Sequence, residues 1–317
     1  QKKSRARYRD SGPHAFREIR MSFLGKLTRL FGQEDEPIPA EQQWLAHVVE
    51  MTDHRIASVP AYQDILSPAI DLALAYFEQT LALVPGPIAM DSANPLLPQL
   101  FPHPEDQSAS LGRSLAVKQE LPALMEEGHT RLYALLGMRT KISPEDGSPY
   151  LTDHTIRALS TSPTAVRHNL QDAAFNSLLQ GFANENLHHQ KKLELAQTQK
   201  ELLKEARAQS GRKTHYSGVS QSLDAHISRA SHDLSADKVL QNLKEWIQAP
   251  ENCMRLCNRS GHALRLAPEQ EAADALHLPL MSTQDRRQWL VCLVEFPSSL
   301  AKDALAAENH NHRFILI

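Results

Sequence analysis

The sequence predicts an α+β protein, predominantly α, with a helical body, one long protruding helix and a small C-terminal α/β unit. Three observations predict it. After the start signal Thr161, Ser162 and Pro163, no proline or strong breaker appears before Gly211, which predicts one helix of about 45 residues and about 70 Å, interrupted only by Gly181. Strand-like segments are confined to residues 131–159 and to the stretch after Cys253. Only 12 glycines occur among 317 residues, too few for Gly-rich phosphate cradles or closely packed parallel β repeats. With 41% hydrophobic and 22% charged residues and a mean hydropathy of -0.42, the composition fits a soluble globular chain and excludes a polytopic membrane protein or a wholly disordered one.

Residues 1–32 hold nine Lys or Arg against Asp10 and Glu18, an excess of seven. Because the whole chain stands at -3, the remainder carries -10. An acidic body is a poor match for nucleic acid, since neutralising phosphates requires cations on the binding face. Residues 1–20 lack periodic apolar positions and read as disordered. Met21 offers an alternative start, which leaves open whether those residues belong to the natural protein. Over residues 22–31, Phe23, Leu24, Leu27, Leu30 and Phe31 fall on one side of a helix with Lys26 and Arg29 on the other. That pattern suits an anionic membrane interface, the competing reading being a helix docked on the protein's own core. Residues 33–41 form an acidic linker.

Helical spacing continues through Leu45, Val48, Val49, Ile56 and Val59 until Pro60 stops it. Ser67 and Pro68 supply an N-cap and an N1 proline for a helix over 70–84, apolar on almost every side and therefore expected to be buried all round. Pro95, Pro98, Pro102 and Pro104 mark a turn-rich connection. Helix resumes over 105–127 with a break or kink expected at Pro122. Residues 131–142 then read as a strand, 144–147 as a turn and 150–159 as the returning partner, although 132–138 are also compatible with helix. In the long helix, Val166, Leu170, Ala174, Phe175, Leu178, Leu179 and Phe182 make a firm packing face. Beyond Leu187 the apolar positions thin out, and the heptads are too irregular to assign a coiled-coil dimer, so the oligomeric state stays open. Residues 209–222 have the composition of a flexible linker. Ser235 should cap a helix through Gln248, residues 253–266 suggest a hairpin around 258–261, and residues 288–296 form the strongest strand in the chain. A short helix over 298–307 and a terminal strand over 313–317 complete the unit. The domain plan is 1–40 as arm and linker, 41–209 as body, 210–222 as linker and 223–317 as the α/β unit.

Sixteen histidines raise a metal hypothesis. Glu185 and His188 form the E-x-x-H spacing of di-metal carboxylate bundles, but no second copy accompanies them, and His47 with Glu50 reverses it. Cys253, Cys257 and His262 lack a fourth zinc ligand, and a strand would hold the two thiols about 13 Å apart. His310 and His312 would share one strand face without a third ligand. No metal and no cofactor are therefore expected. Asp153, His154 and Arg157 are the candidate acid-base or anion-binding cluster, with a turn aspartate and an exposed histidine as the plainer reading. Asp285, Arg286 and Arg287 precede the strong strand, as a charged turn or as edge protection. Catalytic signatures for nucleophile elbows, Walker loops, dinucleotide folds and kinases are missing.

Three cysteines and the lack of a leader pattern suggest a reducing compartment, which makes the Asn258 sequon a chance match. The resulting expectation is a cytoplasmic protein-protein interaction or adaptor protein, peripheral at the inner membrane face through its N-terminal helix, with a protein partner and an anionic lipid surface as its contacts. The alternative is an enzyme of unknown reaction whose pocket lies between the helical body and the C-terminal unit.

Overall fold

A computed structural model gives the fold of residues 40–91, 93–210, 217–265 and 275–313. The residues expected to touch a membrane, Phe23 to Phe31, lie outside the described residues, as does most of the terminal strand expected over 313–317. The chain divides into Gln1–Gln43 and Trp44–Ile317. It is α+β and predominantly α. In order come α1 (Ala40–Met51), a 3-10 turn at His54–Ser58, α2 (Tyr62–Ala82), β1 (Ile88–Ala89), α3 (Leu97–Leu100), α4 (Pro104–Arg113), α5 (Leu115–Glu126), β2 (Arg131–Ile142) and β3 (Pro149–Ser160). There follow α6 (Pro163–Ser210), α7 (Ser217–Asp233), α8 (Ala236–Ile247), a 3-10 turn at Pro250–Asn252, β4 (Met254–Arg265), β5 (Ala275–Thr283), β6 (Gln288–Pro297) and α9 (Ser298–Arg313).

The apolar run of β6 places it at the centre of one sheet, ordered β3-β2-β6-β5-β4, with β1 parallel to β6. Strand alternation divides its side chains between two cores. Leu132, Ala134, Leu136 and Met138 of β2, with Leu290, Cys292, Val294 and Phe296 of β6, meet α4, α5 and α9. Leu135, Val291 and Leu293 point the other way, toward α2, α6 and α8. The strands of the expected body and those of the expected C-terminal unit thus share one sheet, because β2 pairs with β6 from Arg131↔Pro297 to Met138↔Leu290.

The edge strand β3 is guarded locally. Two bulges interrupt its pairing with β2, and each carries a left-handed residue, Asp153 at φ 55° and Ala158 at φ 54°. Ser114 Oγ donates to Ile156 O at 3.0 Å and accepts from Val117 N at 3.2 Å, so one hydroxyl caps α5 and covers the strand. This tie sets the break between α4 and α5 at Ser114, whereas Pro122, where the break was expected, lies inside α5. At Gly112 a Cβ would collide with the backbone carbonyl of Ala304, which is why α4 and α9 pack so closely.

Several boundaries differ from the sequence expectation. The first helix ends at Met51, where Asp53 caps a separate 3-10 turn by accepting from Arg55 N at 3.0 Å. α2 begins at Tyr62 and contains Pro68. It is buried on one face only: Leu66, Ala69, Ile70, Ala73, Phe77 and Leu81 point inward while Asp71, Leu72 and Glu78 face out. Residues 254–265 form one strand whose register against β5 shifts between Cys257 and His262, in place of a hairpin. α9 runs on to Arg313, so His310 and His312 occupy helical positions.

Candidate functional site: the projecting helical hairpin

α6 is 48 residues long and uninterrupted at Gly181, where a Cβ would meet the Gln284 side chain of the β5–β6 turn. Its first half behaves as its spacing predicts, with Val166, Ala174, Phe175, Leu178, Leu179 and Phe182 buried. Trp246 of α8 closes this stretch, donating from Nε1 to Leu178 O at 2.8 Å and meeting Phe182 edge-on. Past Phe182, Asn186 and Ala196 are the only buried residues among the described positions of α6.

α7 packs along the second half. Its positions Leu223, Ile227 and Ala230 are half-buried and Leu234 just beyond it is buried, a 4-3-4 spacing that suits Leu193, Ala196, Lys200 and Leu203 of α6. Lys200 Nζ lies 2.5 Å from Asp224 Oδ1, and that hydrogen bond holds the ammonium above its usual range. Since the chain passes on from α7 to Trp246, which sits back at Phe182, the two helices run antiparallel. The linker expected over 210–222 therefore overlaps α7 from Ser217, and the domain boundary expected at 223 falls inside that helix.

The hairpin leaves large apolar side chains about half exposed: Leu187 at 45%, Leu195 and Leu202 at 60% and Val219 at 54%. An open hollow of about 470 Å³ lies along α7 between Gly218, Val219, Ser222, Leu223, His226 and Arg229. Along it the polar side chains of Ser222, His226 and Arg229 alternate with the apolar Val219 and Leu223.

The expected site residues are scattered. Asp153 lies 3.4 Å from Lys141 Nζ and 4.0 Å from Arg139 Nη1, whose guanidinium stacks over Trp289. His154 turns away, stacking on Phe101 at 4.6 Å and placing Nε2 2.6 Å from Leu100 O. That contact requires a proton on Nε2, and burial holds the imidazole below its usual range, so the ring packs against Phe101 with its Nε2 on the Leu100 carbonyl. The left-handed bulge at Asp153 separates the two neighbours, and Arg157 is exposed. Glu185 Oε1 lies 3.2 Å from His189 Nε2 one turn on, while His188 is exposed. Among the described residues no group of three His, Cys, Asp or Glu could hold a metal ion. Cys253 is buried and donates to Ala174 O, and Cys257 is half-buried in β4. Asp285 accepts from Thr283 Oγ1 at 2.6 Å and Arg287 N at 3.2 Å, bonds that outweigh burial and hold its carboxyl below the usual range. It forms a charged turn with Arg287, with Arg286 at φ 60°.

Two polar contacts of α6 escaped the sequence reading because their partners lie far away in the chain. His47 of α1 meets Asn176, 129 positions on, and Asp53 accepts from Asn186 Nδ2 at 3.3 Å, 133 positions on. Their only local signal is the spacing of Asp172 and Asn176, four apart on one helix face.

Among the described residues no helix is long and apolar enough to cross a membrane. No protein-family model, curated protein or solved structure matches the chain.

Proposed function

We propose that the protein works by docking, as an interaction or adaptor protein whose α6–α7 hairpin presents the partner surface. The observation that carries this reading is the exposed set Leu187, Leu195, Leu202 and Val219 on a hairpin whose own two helices already satisfy each other. Apolar side chains left uncovered on an ordered projection mark a contact surface more often than a reactive one. The basic arm adds a second contact, an anionic lipid surface at the inner membrane face met by Phe23, Leu24, Leu27, Leu30 and Phe31 with Lys26 and Arg29.

Affinity capture with the full chain tests the hairpin. The double substitution Leu195→Asp with Leu202→Asp should remove proteins captured by the wild type, while Leu72→Asp, exposed on α2, should not. Equal capture by the double variant would end the proposal. Co-sedimentation with anionic vesicles tests the arm, where Leu27→Asp should reduce binding and equal binding would remove the membrane contact.

A further inference from the structure

The contact between α1 and α6 is partly polar in a way that docking does not require. Trp44 meets Phe175 edge-on at 5.1 Å, and His47, itself buried, lies with Nε2 2.5 Å from Asn176 Oδ1. One turn earlier on α6, Asp172 Oδ1 is buried with no hydrogen-bond partner, and its Oδ2 lies 3.8 Å from His168 Nε2. The charged groups acting on this carboxylate are His168 from α6 and His47 from α1. Against the same stretch of α6, α2 presents carbonyl oxygens: Leu74 O accepts from Gln171, and Leu81 O and Val84 O accept from Arg167.

An ionised carboxylate with one oxygen shut away from water and given no donor opposes the contact that buries it. Burial accordingly holds Asp172 above the usual carboxylate range, with both imidazoles pulling the other way. A group whose folded value is raised binds more protons in the docked state than in the open one, so docking gains as pH falls through that value. We infer that the α1–α6 contact is a proton-responsive latch, tightened when the partly buried Asp172 carboxylate takes up a proton and loosened when it releases it. This inference does not depend on the hairpin's having a partner.

Hydrogen-deuterium exchange on the full chain, corrected for intrinsic rates, tests it. Peptides covering residues 44–53 should be about threefold better protected near pH 4.5 than near pH 7.5. Peptides from α8 should show no such change. In Asp172→Asn the protection of 44–53 should lose its pH dependence and stay near the wild type's low-pH level. A wild type equally protected at both pH values overturns the latch whatever the variant does. So does a folded Asp172→Asn chain that keeps the wild-type response.

Discussion

The two halves of α6 share one helix and differ in what surrounds them. From Val166 to Phe182 the apolar side chains recur every three or four residues and are enclosed by α1, α2, α8 and the sheet. From Leu187 onward the main neighbour among the described residues is α7, which covers one side, and leucines of the same size are largely exposed. The lesson is that helix formation and helix burial are separate matters. Good helix formers and one partner helix keep the distal half ordered, while the proximal half is fixed by the core it helps to build.

The sharpest way to break this contrast is to truncate one large residue in each half. Phe175→Ala removes a fully buried ring and should cost about 3–5 kcal/mol. Leu202→Ala should stay within about 0.5 kcal/mol of wild type. Chemical denaturation followed by circular dichroism measures both, and similar costs would show that the distal half is packed as tightly as the proximal one.

Asp53 tests the boundary between the halves. Burial raises its pKa, but hydrogen bonds and charge from Arg55, with Asn186 adding, outweigh that and leave it below the usual range. Its contribution is therefore present above the unfolded carboxylate value, near pH 4, and is lost as pH falls through the folded value. Asp53→Ala should cost about 2 kcal/mol at neutral pH, through the lost cap and the donors left behind. That difference should shrink on acidification; a constant gap between pH 7 and pH 3 would contradict the assignment.

Gly181→Ala should have a smaller effect. The gain in helix propensity, about 1 kcal/mol, is opposed by displacing the end of the Gln284 side chain, so a net change under about 1 kcal/mol is expected in thermal unfolding. The smallest perturbation is chemical labelling. Burial pushes the Cys292 thiol up to about 12 and also raises Cys253, which rests on the proximal half at Ala174 O. A thiol reagent at about pH 8 should label Cys257 rapidly and the other two only after denaturation. Fast labelling of Cys253 in the native chain would show that the proximal packing opens readily.

What the sequence made legible follows the range of the interactions involved. The β2–β3 hairpin, the length of α6, the central strand β6 and the helix after Ser235 rest on local periodicity, and all four are present, although α6 runs unbroken through Gly181 and the Ser235 side chain makes no cap hydrogen bond. α7 was hidden because seven of its 17 residues are Ser or His, although Leu223, Ile227, Ala230 and Leu234 already had helical spacing. The break at Ser114 and the bulge that parts Asp153 from His154 depend on partners in another element, which no local window contains. In the candidate hairpin, the projecting half of α6 was legible as a helix too polar to bury; its companion was not.

A straight rod anchored at one end has mechanical consequences. About 29 residues of α6 lie beyond Gly181, roughly 44 Å of helix. A tilt of only about 5° at the root would swing the far end by about 4 Å, by the same rise per residue. Grasping the tip would exert torque directly on the sheet through the Gln284 turn, and a small repacking in the core would be magnified at the tip. The length of α6 thus turns small movements at its root into large ones at its tip.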